Sequence, residues 1–342
     1  MNASFHRILV CRTDRLGDVI LTLPVLTNLR LAGRLAHIAF LGTEYSRKIV
    51  QDNPYLDEFI AYDPGGRHAG FFGLFTLAGE LRRAKFDTVL HVFPRFKVSL
   101  AAFLAGIKRR IGPATRWYSF LYNTKLDIHR SQVEKHELEY NLEYLAPLKV
   151  PVKDTKIRLW LGSKDRKYAS VFFKENKLSG KVVAVHPGGA SGSMYNWNIA
   201  RYSELINLLQ EKLKVKVLLV EGKDEEDLSR RLLSRVKHRP PLLSGKADLR
   251  QLGAVLEKVA VLISKNTGTM HTAAAVGTPT ISFFSPVFVI SEKRWGPWGN
   301  KGIIMKPKIA ECKICSGENC IYHDCMDTIK VAEVIKKVRQ FI

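Results

Sequence analysis

Apolar runs of about five residues alternate along the chain with longer stretches whose apolar positions recur every three or four residues. Such alternation predicts strand–helix repeats and a mostly parallel sheet. In the first half, strands are expected at 7–11, 36–42, 58–62, 86–93 and 109–113, with helices at 19–31, 70–81, 98–106 and 134–148. A second series follows a Pro-flanked hinge at 147–151. It has strands at 157–161, 181–186, 215–221, 261–264 and 280–284, and helices at 164–176, 199–213, 225–236, 249–258 and 269–276. A terminal amphipathic helix at 328–342 buries Ile329, Val331, Val334, Ile335 and Val338. Two such series in 342 residues predict two doubly wound α/β domains, 1–150 and 151–342.

Glycine turns close several of the strands, and ligands of open α/β sheets bind at the carboxyl ends of strands. The most developed turn is Asn266-Thr267-Gly268-Thr269, with His271 behind it. A helix N-terminus there aims free N–H groups and a positive dipole end at an anion, and the threonine hydroxyls add donors. Upstream, Gly17-Asp18 follows the first strand. Asp18 is either a helix N-cap, its carboxylate accepting orphan N–H groups, or a general base in the crevice. Glu221 and Gly222 end a strand where an acidic side chain takes ribose hydroxyls, or else forms a solvated turn.

Charge changes the picture. The chain carries 54 Lys and Arg against 32 Asp and Glu, a net +22, which implies polyanionic company. Twelve basic residues fall between Arg82 and Lys135, opposed by three acidic ones. Within and near that run Arg15, Arg95, Arg109, Arg110 and Arg116 are candidate contacts for an anionic acceptor. The apolar 70–81 helix beside Arg82, Arg83 and Lys85 is either a core or flap helix or an edge that dips into a membrane interface. No run reaches the roughly 18 apolar residues that span a bilayer, and the amino terminus runs directly into a strand without a secretory pattern. A nucleic-acid binder is the rival class, but no recognition-helix motif or aromatic stacking platform supports it.

Cys312, Cys315, Cys320 and Cys325 form C-x2-C-x4-C-x4-C, with His323 as a spare ligand. Such spacing would hold a structural zinc or an iron–sulfur cluster; free thiols and disulfides are the alternatives.

Three segments together resemble one family: Arg12-Thr13-Asp14-Arg15-Leu16-Gly17-Asp18 with Leu23-Pro24; His186-Pro187-Gly188-Gly189 with Trp197; and Ser264-Lys265-Asn266-Thr267-Gly268-Thr269-Met270-His271 with Gly277-Thr278-Pro279. Their order and spacing are similar to those of the bacterial ADP-heptose:lipopolysaccharide heptosyltransferases, glycosyltransferase family 9. The resemblance implies a GT-B fold, two Rossmann-like domains facing across a cleft. It implies inverting transfer of heptose from ADP-heptose to the inner core of lipopolysaccharide, with Asp18 as base and no cofactor required for catalysis. Donor contacts would come from Gly188, Gly189, Tyr195, Glu221, Gly222, Asn266, Thr267, Gly268, Thr269 and His271. The expected setting is cytoplasmic, peripheral on the inner face of the inner membrane, for a monomer with no nucleic-acid partner. Two positions depart from the pattern. Asn266 stands where the family commonly has Asp, and Tyr195 where it often has a basic residue. A different nucleotide-sugar donor, or epimerase chemistry on the same fold, therefore stays open.

Overall fold

The computed structural model describes residues 5–188, 197–315, 320–322 and 324–342. The chain divides into two compact units, Met1–Trp160 and Leu161–Ile342.

In the first unit six strands form one parallel sheet: β1 Arg7–Cys11, β2 His37–Gly42, β3 Glu58–Ala61, β4 Thr88–Leu90, β5 Arg109–Pro113 and β6 Thr124–Leu126, in the order β3-β2-β1-β4-β5-β6. Ile8, Leu9, Val10 and Cys11 are wholly buried. A strand covered by helices on both faces has no polar side to show, so its sequence is continuously apolar rather than alternating. The chain reverses direction across the sheet between β1 and β4, which pair directly through Ile8 with Thr88 and Val10 with Leu90.

The second unit repeats the plan with β7 Val182–His186, β8 Lys216–Val220, β9 Leu242–Leu243, β10 Val261–Lys265, β11 Thr280–Phe283 and β12 Gly302–Met305. These are ordered β12-β11-β10-β7-β8-β9 and are all parallel. Here the reversal lies between β7 and β10, where Ser264 pairs with His186. Each sheet thus has its own topological switch point, the place where doubly wound folds bind ligands.

Several expected elements are redrawn. The 19–31 helix is two helices, Leu16–Ile20 and Leu23–Ala32, with Pro24 in the first turn of the second. Proline lacks an N–H and fits only at a helix start. The 134–148 helix is α-helical over Glu137–Leu142 and tightens to 3-10 over Glu143–Leu148, around Pro147. Residues 157–161 are not a strand: Ile157 and Leu159 are buried, but the segment pairs with neither sheet. The terminal helix is Val331–Val338, preceded by a 3-10 turn at Cys325–Thr328. Its Val331, Val334 and Val338 are buried against the second sheet's core. Trp197 locks this region: its indole N–H donates to the Ile329 carbonyl at 3.0 Å, and its ring packs on Phe283 at 4.7 Å and Tyr202 at 5.0 Å.

Candidate functional site

Each unit gathers candidate site residues at its own switch point. In the first, β1 delivers Arg12 to the carboxyl edge of the sheet with 2% exposure. A guanidinium in that position requires carboxylates around it, because an uncompensated buried charge is strongly unfavourable. Four acceptors meet it. Nε donates to Asp14 at 2.8 Å, Nη2 to Asp18 at 2.5 Å, and Nη1 to Glu137 at 3.1 Å and Asn141 at 2.9 Å. Arg130 donates to the same Glu137 at 3.0 Å and to Asn141 at 3.2 Å. Asn141 in turn donates to the Leu21 carbonyl at 3.0 Å, tying the helix Glu137–Leu142 to the turn after Asp18. Burial alone would loosen the Arg12 proton, but Asp14, Asp18 and Glu137 outweigh it and hold the guanidinium charged.

Asp18 lies in the first turn of the helix Leu16–Ile20, whose N-cap is Arg15 without a side-chain cap bond. The capping alternative is therefore corrected: its carboxylate accepts from Arg12 rather than from helix N–H groups. Burial raises the Asp18 carboxyl to about 7. Asp14 and Glu137 push the same way, and Arg12 opposes them. A carboxyl poised near neutrality can accept a proton and then release it, as a general base must.

The acceptor candidates separate by sheet edge. Arg95 follows β4 at the carboxyl edge, and its Nε donates to Thr13 at 2.8 Å. Arg15 and Arg116 are exposed in the turns after β1 and β5. Arg109 and Arg110 instead begin β5, paired with Thr88 and Val89, so they lie at the amino edge, a strand length from Asp18. Arg110 is also committed locally. It donates to the Leu121 carbonyl at 2.8 Å and the Ile107 carbonyl at 2.6 Å, and its guanidinium stacks 5.2 Å from Phe103.

In the second unit the turns after β7 and β10 flank the switch point. Thr267 precedes the helix Gly268–Ala275 in extended conformation with no cap bond. Its buried Oγ1 has no hydrogen-bond partner among the described residues. Thr269 and His271 are buried within the helix, at 8% and 2% exposure. Asn266 uses its amide N–H2 on the Ile290 carbonyl at 3.3 Å. Glu221 follows β8 and accepts weakly from Ser244 and from the Gly245 N–H, at 3.4 and 3.3 Å. Gly188 and Gly222 both face the carboxylate end of Glu225. A Cβ on Gly188 would overlap the Glu225 carboxylate and one on Gly222 would crowd it. That carboxylate accepts from the Gly222 N–H at 2.8 Å and lies 3.2 Å from His186 Nε2. Gly189, Tyr195 and His323 lie outside the described residues.

Sequence reasoning missed Arg12, Glu137, Asn141, Glu225 and Lys265 as site residues. Lys265 ends β10 at 7% exposure. Burial lowers its ammonium to about 8, partly offset by Glu225. The available signals for Arg12 and Lys265 were a charged residue at the carboxyl end of an apolar strand run and their place in the quoted motifs.

The cysteines are close enough that burial first, then Cys315, Cys320 and Cys312, push the Cys325 thiol up. Among the described residues no three His, Cys, Asp or Glu are arranged to hold a metal ion, and five positions of the Cys312–Cys325 segment, 316–319 and 323, lie outside the described residues. None of the five cysteines is in a disulfide bond.

The comparisons agree with this architecture. The family model described as glycosyltransferase family 9 (heptosyltransferase) matches residues 74–326. A Haemophilus influenzae protein, named only at the level of glycosyltransferase, is 28% identical over 301 residues, covering 85% of this chain and 86% of its own. Lipopolysaccharide heptosyltransferase 3 of Escherichia coli is 26% identical, covering 84% of this chain and 85% of its own. Among solved structures, a glycosyltransferase family 9 protein from Veillonella parvula superposes with TM-score 0.87 at 22% identity, covering 100% of this chain and 98% of that one. E. coli ADP-heptose lipopolysaccharide heptosyltransferase II gives 0.77 at 20%, covering 98% of each. The two parallel six-stranded sheets are those of the GT-B heptosyltransferase structures, and the chain belongs to glycosyltransferase family 9, the heptosyltransferases.

Proposed function

We propose that the chain transfers heptose from ADP-heptose to the inner core of lipopolysaccharide, with inversion, as a monomer at the cytoplasmic face of the inner membrane. The observation that carries the reading is the buried Asp18 carboxyl at the carboxyl edge of the first sheet, held on one oxygen by Arg12. Oδ1 is engaged, so Oδ2 takes the acceptor hydroxyl proton as that oxygen attacks the anomeric carbon. The bond to the donor diphosphate breaks on the opposite side, which inverts the centre. Arg12 and Glu137 act through Asp18: they fix its orientation and set its proton affinity. Arg15, Arg95 and Arg116 meet the anionic acceptor.

The leaving ADP accumulates negative charge, and fixed donors help most where charge develops. The N–H groups of the helix Gly268–Ala275 and the Thr267 hydroxyl supply donors. Lys265, buried at the end of β10, supplies a positive charge for the leaving diphosphate. By the family resemblance Gly188, Gly189 and Gly222 are donor contacts, and Glu221 takes the ribose hydroxyls. Asn266 replaces a charged acceptor with a neutral amide, so a different sugar on the same nucleotide is the second reading. No metal is assigned a step.

Isothermal titration with ADP, UDP and GDP tests the donor. Micromolar ADP binding with the other two much weaker supports the reading; preference for UDP or GDP replaces the donor.

A further inference from the structure

Every exposed Phe and Trp among the described residues lies between positions 71 and 120, in the first unit. Phe71, Phe72 and Phe75 pack their rings on one another at 5.1 and 6.0 Å, yet stay 69%, 84% and 51% exposed. Phe96 stacks on Trp117 at 4.9 Å, with Trp117 73% exposed. The two clusters are fastened together: the Lys97 ammonium donates to the carbonyl of Gly70 at 2.6 Å and to that of His68. The helices that carry them, Phe72–Arg83 and Phe96–Leu104, already bury Leu74, Leu77, Leu81, Val98 and Ala101 in the unit's core. These aromatics are therefore surplus to the core rather than part of it.

Their place in the fold is specific. Phe71 and Phe72 start the helix after β3, Phe96 starts the helix after β4, and Trp117 lies in the turn after β5. All sit on the carboxyl edge of the first sheet, the edge that carries Asp18. The surrounding charge is basic: Arg67, Arg95 and Arg116 are exposed beside the rings, and Arg82, Arg83 and Lys108 are exposed at the far ends of the same helices. Aromatic rings above a basic surround complement the acyl boundary and headgroups of an anionic leaflet.

We propose that this aromatic rim seats the first unit on an anionic lipid bilayer, which brings the Asp18 edge to an acceptor borne in the same leaflet. The choice of acceptor rests on the function proposed above; the docking itself does not. No helix among the described residues is long and apolar enough to cross a membrane, so attachment through this rim is interfacial.

The test is flotation of the full chain with vesicles of phosphatidylcholine alone and of phosphatidylcholine mixed with phosphatidylglycerol. The chain should float with the mixed vesicles, lose most of that binding at high salt, and bind neutral vesicles weakly. The double variant Phe72→Ser, Trp117→Ser should lose on the order of tenfold or more in vesicle affinity, with turnover on a soluble, deacylated acceptor unchanged. Val171→Ser, an exposed position of the second unit, should bind as wild type. Equal vesicle binding by the double variant overturns the proposal, and so does a rim that mediates concentration-dependent dimers instead. Vesicle binding without sugar transfer would leave the rim standing and remove the proposed reaction; transfer without vesicle binding would do the reverse.

Discussion

Arg12 Nη2 donates to Asp18 Oδ1 at 2.5 Å, and the same guanidinium also holds Asp14, Glu137 and Asn141. One buried cation thus contacts three carboxylates, with Arg130 also on Glu137, and burial raises the Asp18 carboxyl to about 7.

The sign of each neighbour's effect on Asp18 gives a paired prediction. Deprotonated Asp18 is the active form, so kcat/KM should rise with pH through about 7. Arg12 lowers the Asp18 carboxyl, so Arg12→Lys, with its poorer geometry, should move this limb to higher pH. Glu137 raises it, so Glu137→Gln should move the limb to lower pH. Shifts in the same direction for both variants would show that the network does not control Asp18. Arg12→Met should also cost about 3–5 kcal/mol of stability, because it strands buried carboxylates; denaturant melts measure it.

Lys265 gives a pH-dependent donor site. Its ammonium is lowered to about 8 by burial, so ADP affinity should fall as pH rises through 8, when the positive charge is lost. Lys265→Ala should weaken ADP binding by about tenfold and remove that dependence. Titration calorimetry at several pH values reads both. A variant with wild-type affinity and the same pH slope would take Lys265 out of the donor site.

Sheet edges divide the arginines. Arg95→Ala should raise acceptor KM by about tenfold, since it leaves the turn beside Asp18. Arg110→Ala should leave acceptor KM unchanged while lowering thermal stability, because its bonds tie the Leu121 and Ile107 carbonyls. A raised KM for Arg110→Ala alone would reverse this assignment.

Much of the frame is legible in the sequence. The continuous apolar runs 8–11, 182–185 and 261–263 announce buried parallel strands. β6 and β9 are too short, and too polar in β6, to signal themselves. Within the site, Asp18 and the Thr267 turn stand out because glycine punctuates them. The partners that tune Asp18 do not, since Glu137 and Asn141 lie 125 and 129 positions from Arg12 and no local pattern links them. The same limit applied to Arg109 and Arg110: composition marks them as basic, but only the strand's direction says which edge they occupy.

The most direct measurement is mass spectrometry of a Kdo-terminated lipid acceptor after incubation with ADP-heptose and either the wild-type chain or Asp18→Asn. The account predicts one added heptose with the wild type, and a rate lower by about 10²–10⁴ in the variant with ADP binding retained. Comparable product from Asp18→Asn, or none from the wild type, would contradict it.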